Sequence, residues 1–146
     1  MAYLPDDLPL PRTDEIDTAA WWEKIANNEF VVQQCDDCGI YRNPPAPLCN
    51  ECLSFNHHLE PVPNATGKIY SYTICYHPVH AALRDWPPYN VAIIELDDVS
   101  QGTGLGGVRF VGNIIDAEHE DLYVGMPVKQ TFEERGGVNL VQWLKA

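Results

Sequence analysis

From Gly67 to the end of the chain, apolar and polar residues alternate with a period of two, the spacing of strands that bury one face. "GKIYSYTICYH" puts Tyr70, Tyr72, Ile74 and Tyr76 on one face and Ile69, Ser71, Thr73, Cys75 and His77 on the other. "YNVAIIELD" is apolar at most positions, and "GGVRFVGNII" follows it. "VKQTFEE" and "VNLVQWL" read as a hairpin turning at Arg135, Gly136 and Gly137. The polar stretch "DAEHEDLYVGMP" makes the link between the third and fourth strands the long one. Five strands so connected predict a small closed barrel of the OB type.

The N-terminal part has another rhythm. Pro5, Pro9 and Pro11 deny regular helix to the first dozen residues and predict an extended arm. "TDEIDTAAWWEKIANNEF" predicts a helix capped by Thr13 or Asp14, with Glu15 and Asp17 at the positive end of its dipole. Ile16, Ala19 or Ala20, Trp22 or Glu23, and Ile25 or Ala26 recur at helical spacing. Trp21 and Trp22 together exceed one narrow stripe, so the helix either lies between two surfaces or anchors a partner. "FVVQQC" is a short strand, and "SFNHHLEPVP" a short extended piece. Pro61, Pro63, Asn64 and Gly67 then mark a module boundary. The organisation is an arm and helix over 1–30, a cysteine module over 31–63 and the barrel over 64–146.

A chain of 146 residues holds one compact domain, or a small module attached to one, and 45% apolar residues can furnish a core. Nine Lys and Arg against twenty-one Asp and Glu give a formal charge of −12. That field repels nucleic-acid backbones and anionic membrane surfaces. No basic patch offsets it, because Lys24, Arg42, Lys68, Arg84, Arg109 and Lys129 are scattered singly. "MAYLPDDLPLPRTDE" has neither the basic nor the apolar segment of a signal peptide, and no apolar run approaches the ~18 residues of a membrane span. The expected compartment is the cytoplasm, where thiols stay reduced.

That bears on "CDDCGIYRNPPAPLCNEC", which holds Cys35, Cys38, Cys49 and Cys52 as two Cys-x-x-Cys pairs. Each pair lets the backbone curl so that two sulfurs point at one ion, and two pairs supply the four thiolates of a tetrahedral site. Gly39, directly after Cys38, gives one turn the freedom it needs. The pattern is that of a rubredoxin-like zinc ribbon, so these four residues are expected to hold a structural metal. Four thiolates also accept iron. Zinc is the expectation, because a closed four-cysteine zinc site is inert and adds folding energy. His57 and His58 lie nearby, but four cysteines leave them no vacancy.

Other features carry less. Gly102-x-Gly104-x-x-Gly107 has dinucleotide-fingerprint spacing, but a strand follows where that motif needs a helix. It reads as a flexible glycine loop. Cys75 and His77 share a predicted strand face at roughly 6.6 Å, long for a hydrogen-bonded catalytic pair. The tyrosines of "GKIYSYTICYH" suit barrel packing or a protein interface, since the charge opposes single-strand binding. His80, Arg84, Asp85 and Trp86 belong to a loop that either lines a pocket or is simply solvated.

In order along the chain, "WWEKI", "CDDCGIYRNPPAPLCNEC", "GKIYSYTICYH", "PPYNVAIIELDD", "VRFVGNII" and "LYVGMPVKQTFEE" resemble a family of acyl-CoA-associated proteins. These join a rubredoxin-like zinc ribbon to an OB fold. The glycine-rich "SQGTGLGG" is longer than the turn usual there. The resemblance implies a mainly β chain: an N-terminal helix, the ribbon, and a five-stranded OB barrel. It also implies a small subunit beside a thiolase-like large subunit, as in benzoylsuccinyl-CoA thiolase, within a hetero-oligomer acting on CoA thioesters. In such complexes the reactive groups sit in the large subunit, so no catalytic residue carries over. Only Cys35, Cys38, Cys49 and Cys52 do, as metal ligands. CoA phosphates favour Arg and Lys; on this acidic chain a CoA contact would be shared with the partner, through Arg84 or Arg109. The alternative is a stand-alone module for acyl-CoA or acyl chains.

Overall fold

Three short strands carry the cysteine module. In the computed structural model, which describes residues 2–102 and 104–146, β1 (Val31–Cys35) lies between β2 (Tyr41–Arg42) and β3 (His57–Pro61). All pairings in this sheet are antiparallel. The second sheet contains β4 (Thr66–Cys75), β5 (Tyr89–Ser100), β6 (Gly107–Gly112), β7 (Pro127–Arg135) and β8 (Val138–Lys145), in the order β6-β5-β4-β7-β8. A parallel bridge between Ile114 and Trp143 brings its two ends together, so the five strands form a nearly closed barrel. The long connection runs between β6 and β7, with one 3₁₀ turn at His119–Asp121. Gly136 and Gly137 both have positive φ, the geometry a two-residue hairpin turn requires.

The helix is shorter than its sequence pattern. It spans Ala19–Ala26 (α1), and Thr18 at its start makes no side-chain cap bond. Residues 13–18 contain four Thr or Asp residues, which offer the backbone local alternatives to helix. The chain turns there, with the Thr18 and Ala19 amides both bonded to the Glu15 carbonyl. Ile16, expected on the apolar face, is 95% exposed. Trp21 and Ile25 are the helix residues that reach the core.

The expected faces of β4 also change. A bulge between Ile69 and Ser71 shifts the pairing with β5 by one residue. Ile69 is buried, Tyr72 and Ile74 pack against the core behind it, and Tyr70 is pushed outward, half exposed. The strand ends at Cys75, so His77 does not share its face. Of "GTGLGG", Thr103 lies outside the described residues, and antiparallel strands β5 and β6 flank the run as a glycine loop requires.

One core serves both sheets. Phe30, just before β1, and Val31 and Val32 on it are buried with Ile69, Ile94, Phe110, Val128 and Trp143 of the barrel. The aromatic contacts run continuously: Trp21 to Phe110 at 6.3 Å, Phe110 to Phe30 at 5.2 Å, Phe30 to Trp143 at 6.3 Å. The Trp21 indole donates to the Val31 carbonyl at 2.9 Å. The helix therefore closes the junction between ribbon and barrel, with Trp22 half-buried beside Trp21 at 4.9 Å. The proline-rich arm is fastened rather than free. The Asn90 amide and side chain both donate to the Tyr3 hydroxyl, and Arg135 donates to the carbonyls of Pro5 and Leu8.

Candidate metal centre

Two matching turns bring the four cysteines together. The Gly39 amide bonds back to the Cys35 carbonyl at 3.0 Å, and the Leu53 amide to the Cys49 carbonyl at 3.0 Å. The Cys35 amide reaches the Ile40 carbonyl and the Cys49 amide the Ser54 carbonyl, both at 2.9 Å. Each turn directs two sulfurs inward. All four Sγ atoms lie within 4.8 Å of one another, with Cys35–Cys52 and Cys38–Cys49 at 3.6 Å. Sulfurs ~2.3 Å from a tetrahedral zinc are roughly 3.8 Å apart, whereas a disulfide needs about 2.05 Å. The donor set fits a four-thiolate metal ion.

Backbone amides prepare those sulfurs for charge. The N–H groups of Cys38 and Asp37 face the Cys35 sulfur and bring its pKa down to about 6, the Cys38 amide contributing most. The Cys52 amide, with that of Glu51, lowers Cys49 in the same way. At Cys38 and Cys52 the amides of Ile40 and Ser54 also favour the thiolate. Desolvation and the neighbouring sulfurs outweigh them, so both pKa values rise, Cys52 to about 12. Two thiols are thus shifted toward the thiolate and two away from it, and a divalent ion would displace the remaining protons. Cys35 and Cys49 are buried; Cys38 and Cys52 are on the surface.

Polar side chains hold the turns in place. Ser54 and Asn56 both donate to the Asp37 carboxylate. His58 lies between Asp36 and Glu60, one carboxylate on each ring nitrogen, and Asp36 followed by Glu60 raises its pKa. It braces a turn rather than serving as a ligand. Arg42, at the edge of the small sheet, is buried and donates to the Ala46 carbonyl at 3.0 Å. The Ala46 amide in turn reaches Gln33. These bonds fasten the proline loop that joins the two cysteine pairs.

Comparison with known proteins follows this geometry closely. Residues 22–58 match a family model described as "ChsH2, rubredoxin-like zinc ribbon domain", and residues 60–133 match "ChsH2, C-terminal OB-fold domain". The chain belongs to the ChsH2 family. It is 35% identical over 112 residues to a probable enoyl-CoA hydratase alpha subunit of Thermomonospora curvata, covering 77% of this chain and 32% of that protein. The chain thus spans about a third of that relative's length. A DUF35 domain-containing scaffold protein of Methanocaldococcus jannaschii is 33% identical over 115 residues, 76% of this chain and 73% of that one. Among solved structures, one titled "Ltp2-ChsH2(DUF35) aldolase" aligns with a TM-score of 0.77 and 30% identity, covering 92% of this chain and 98% of that one.

The other candidate residues of this ChsH2-family chain are dispersed. Arg109 on β6 donates to Glu95 at 3.1 Å, and its guanidinium sits 3.8 Å from the centre of the Tyr70 ring. Arg84 and His80 line a shallow hollow of about 200 Å³ with Val79. Trp86 instead faces a cleft of about 550 Å³ beside Tyr3 and Tyr89. Cys75 pairs with Tyr89 across the β4–β5 ladder. Among the described residues, no helix is long and apolar enough to cross a membrane.

Sequence reasoning missed the amides that close the barrel. The side chain of Asn90 donates to the Ile114 carbonyl at 3.0 Å and accepts from the Ile114 amide at 2.8 Å. Gln142 bonds both the backbone amide and the side chain of Asn113 at 2.8 Å. Asn90 is the one polar residue in the first half of β5, followed by Val91, Ala92, Ile93 and Ile94, and that is its trace in the sequence.

Proposed function

We propose that this chain is a non-catalytic accessory subunit of an enzyme complex acting on CoA thioesters, with structural zinc on Cys35, Cys38, Cys49 and Cys52. The observation that carries it is the match to the Ltp2-ChsH2(DUF35) aldolase structure, which runs the length of that chain at 30% identity. The partner is a thiolase-superfamily large subunit that makes or breaks a carbon–carbon bond beside the thioester, by thiolysis or a retro-aldol step. For thiolysis the acyl group is a 3-oxoacyl unit, such as the aromatic benzoylsuccinyl type; a retro-aldol step needs a 3-hydroxyl in place of the 3-oxo group. The four thiolates supply no open coordination position, so the metal fastens the ribbon and takes no part in the reaction.

Arg109 is the better placed of the two arginines for a shared CoA contact, because Glu95 and the Tyr70 ring hold its guanidinium still while leaving one side open to solvent. Among the described residues, none supports Arg84 in this way. The relative named as a hydratase subunit favours a second reading, a hydratase partner for the same acyl-CoA class.

The test is purification of the tagged chain from its native cell, with mass identification of what accompanies it. A stoichiometric large subunit with thiolase or aldolase activity supports the proposal, and a hydratase selects the second reading. A chain that emerges alone and binds CoA thioesters tightly overturns both in favour of a stand-alone acyl-CoA module.

A further inference from the structure

The cleft beside Tyr3 is walled by three aromatic side chains from three separated segments. Tyr3 comes from the N-terminal arm, Trp86 from the loop after β4, and Tyr89 from the start of β5. The segment 115–120 of the long β6–β7 connection also lines it and contributes Asp116, Glu118, His119 and Glu120. Among the described residues, no lysine or arginine lines it. The Asp116 carboxylate is occupied by the Lys145 amide. Lys145 itself pairs with Asp121, outside the cleft. Among the described residues, Glu118 and Glu120 take part in none of the ion pairs.

Two of the walls are held by hydrogen bonds within the chain. Two donors from fully buried Asn90 fix the Tyr3 hydroxyl, at 3.0 and 2.7 Å. Trp86 is followed by Pro87 and Pro88, its amide is bonded to Leu83, and Leu83 is buried. Burial raises the pKa of Tyr3, and the Glu118 charge adds to the rise. Aromatic faces and carboxylates around one concave space share a single preference: both attract an organic cation, the rings through their quadrupoles and the acids through their charge.

We propose that this cleft receives an arginine side chain from a protein partner. A guanidinium is planar, so it stacks on Trp86 or the tyrosines, and its fork of donors suits Glu118 and Glu120. Lysine satisfies the charge but not the stacking. A cleft of about 550 Å³ also has room for the backbone that carries the side chain, which favours a segment of protein over a small free cation. The chain's charge of −12 draws a basic surface toward it from a distance.

The experiment uses the intact, zinc-loaded chain and acetyl-arginine-amide as the probe, followed by NMR at the Trp86 indole N–H. Acetyl-citrulline-amide, the same shape without the charge, is the first control, and choline the second. The expected result is a saturable shift at Trp86 with the arginine probe, little with citrulline or choline, and weakening as salt is raised. Glu118→Gln together with Glu120→Gln, both on the surface, should weaken arginine binding about tenfold without moving the Trp143 signal. Equal binding of citrulline, or an unchanged affinity in the double variant, overturns the proposal. No saturable shift at Trp86 does the same, and preference for choline replaces a protein partner with a small quaternary ligand. None of these outcomes depends on the identity of the large subunit, so the test stands apart from the proposed function.

Discussion

Gly39 and Leu53 occupy the same step of two matching turns, each bonded back to the cysteine four residues earlier, and both have positive φ, 77° and 63°. Glycine adopts that conformation freely, whereas leucine is strained there by ~1–2 kcal/mol. Leu53 is 67% exposed, so its side chain returns little of that cost through burial. Leu53→Gly is therefore expected to stabilise the zinc-loaded protein by about 1 kcal/mol, the relief being trimmed by glycine's greater freedom in the unfolded chain. Gly39→Leu should cost ~1–2 kcal/mol. Denaturant titration of both variants checks the pair, and opposite signs are required.

Metal analysis of protein expressed without added iron should find about one zinc per chain. Cys49→Ser removes a buried ligand and should abolish stoichiometric zinc. Hydrogen exchange should then quicken through β1, β2 and β3. A fully protected ribbon in metal-free protein would contradict the structural role.

Asn90→Leu retains bulk but removes both side-chain bonds to Ile114 and leaves that buried backbone unpaired. The expected cost is about 2–6 kcal/mol, from ~1–3 for each of the two unsatisfied groups. The Tyr3 hydroxyl loses one donor in the same change, so proteolysis of the arm should quicken as well. Thermal unfolding and limited proteolysis read the two effects separately.

His58 should titrate above the ordinary imidazole value, because the Asp36 and Glu60 carboxylates favour its charged form. A raised native pKa sets the sign. The pairing adds stability in full below the unfolded value of about 6.5, and the contribution is lost as pH rises through the native value. NMR titration of His58 provides the check, and Asp36→Asn should move its midpoint down. A midpoint that Asp36→Asn leaves in place would remove the bracing role.

The cysteine module was legible because metal ligation demands a residue type at a fixed spacing, and nothing else in the chain imitates it. The barrel strands and their long link were legible from a period-two pattern. Inside β4 the pattern misled, since a bulge at Tyr70 changes which face a residue takes while leaving the sequence alternation intact. The helix start failed for a local reason: Thr and Asp between 13 and 18 suit a cap at several positions, and the chain used them for a turn. The amide contacts of Asn90, Asn113 and Gln142 join residues far apart in the chain, which no local pattern reports.

Phe30 touches Phe110 on one side and Trp143 on the other, although it immediately precedes the first strand of the zinc ribbon. The two family modules are therefore not interchangeable parts. A chimera that kept this barrel but borrowed its ribbon from a distant relative would have to match the shape of one aromatic ring in a space bounded by two others. Inheritance of the halves is tied together at that contact.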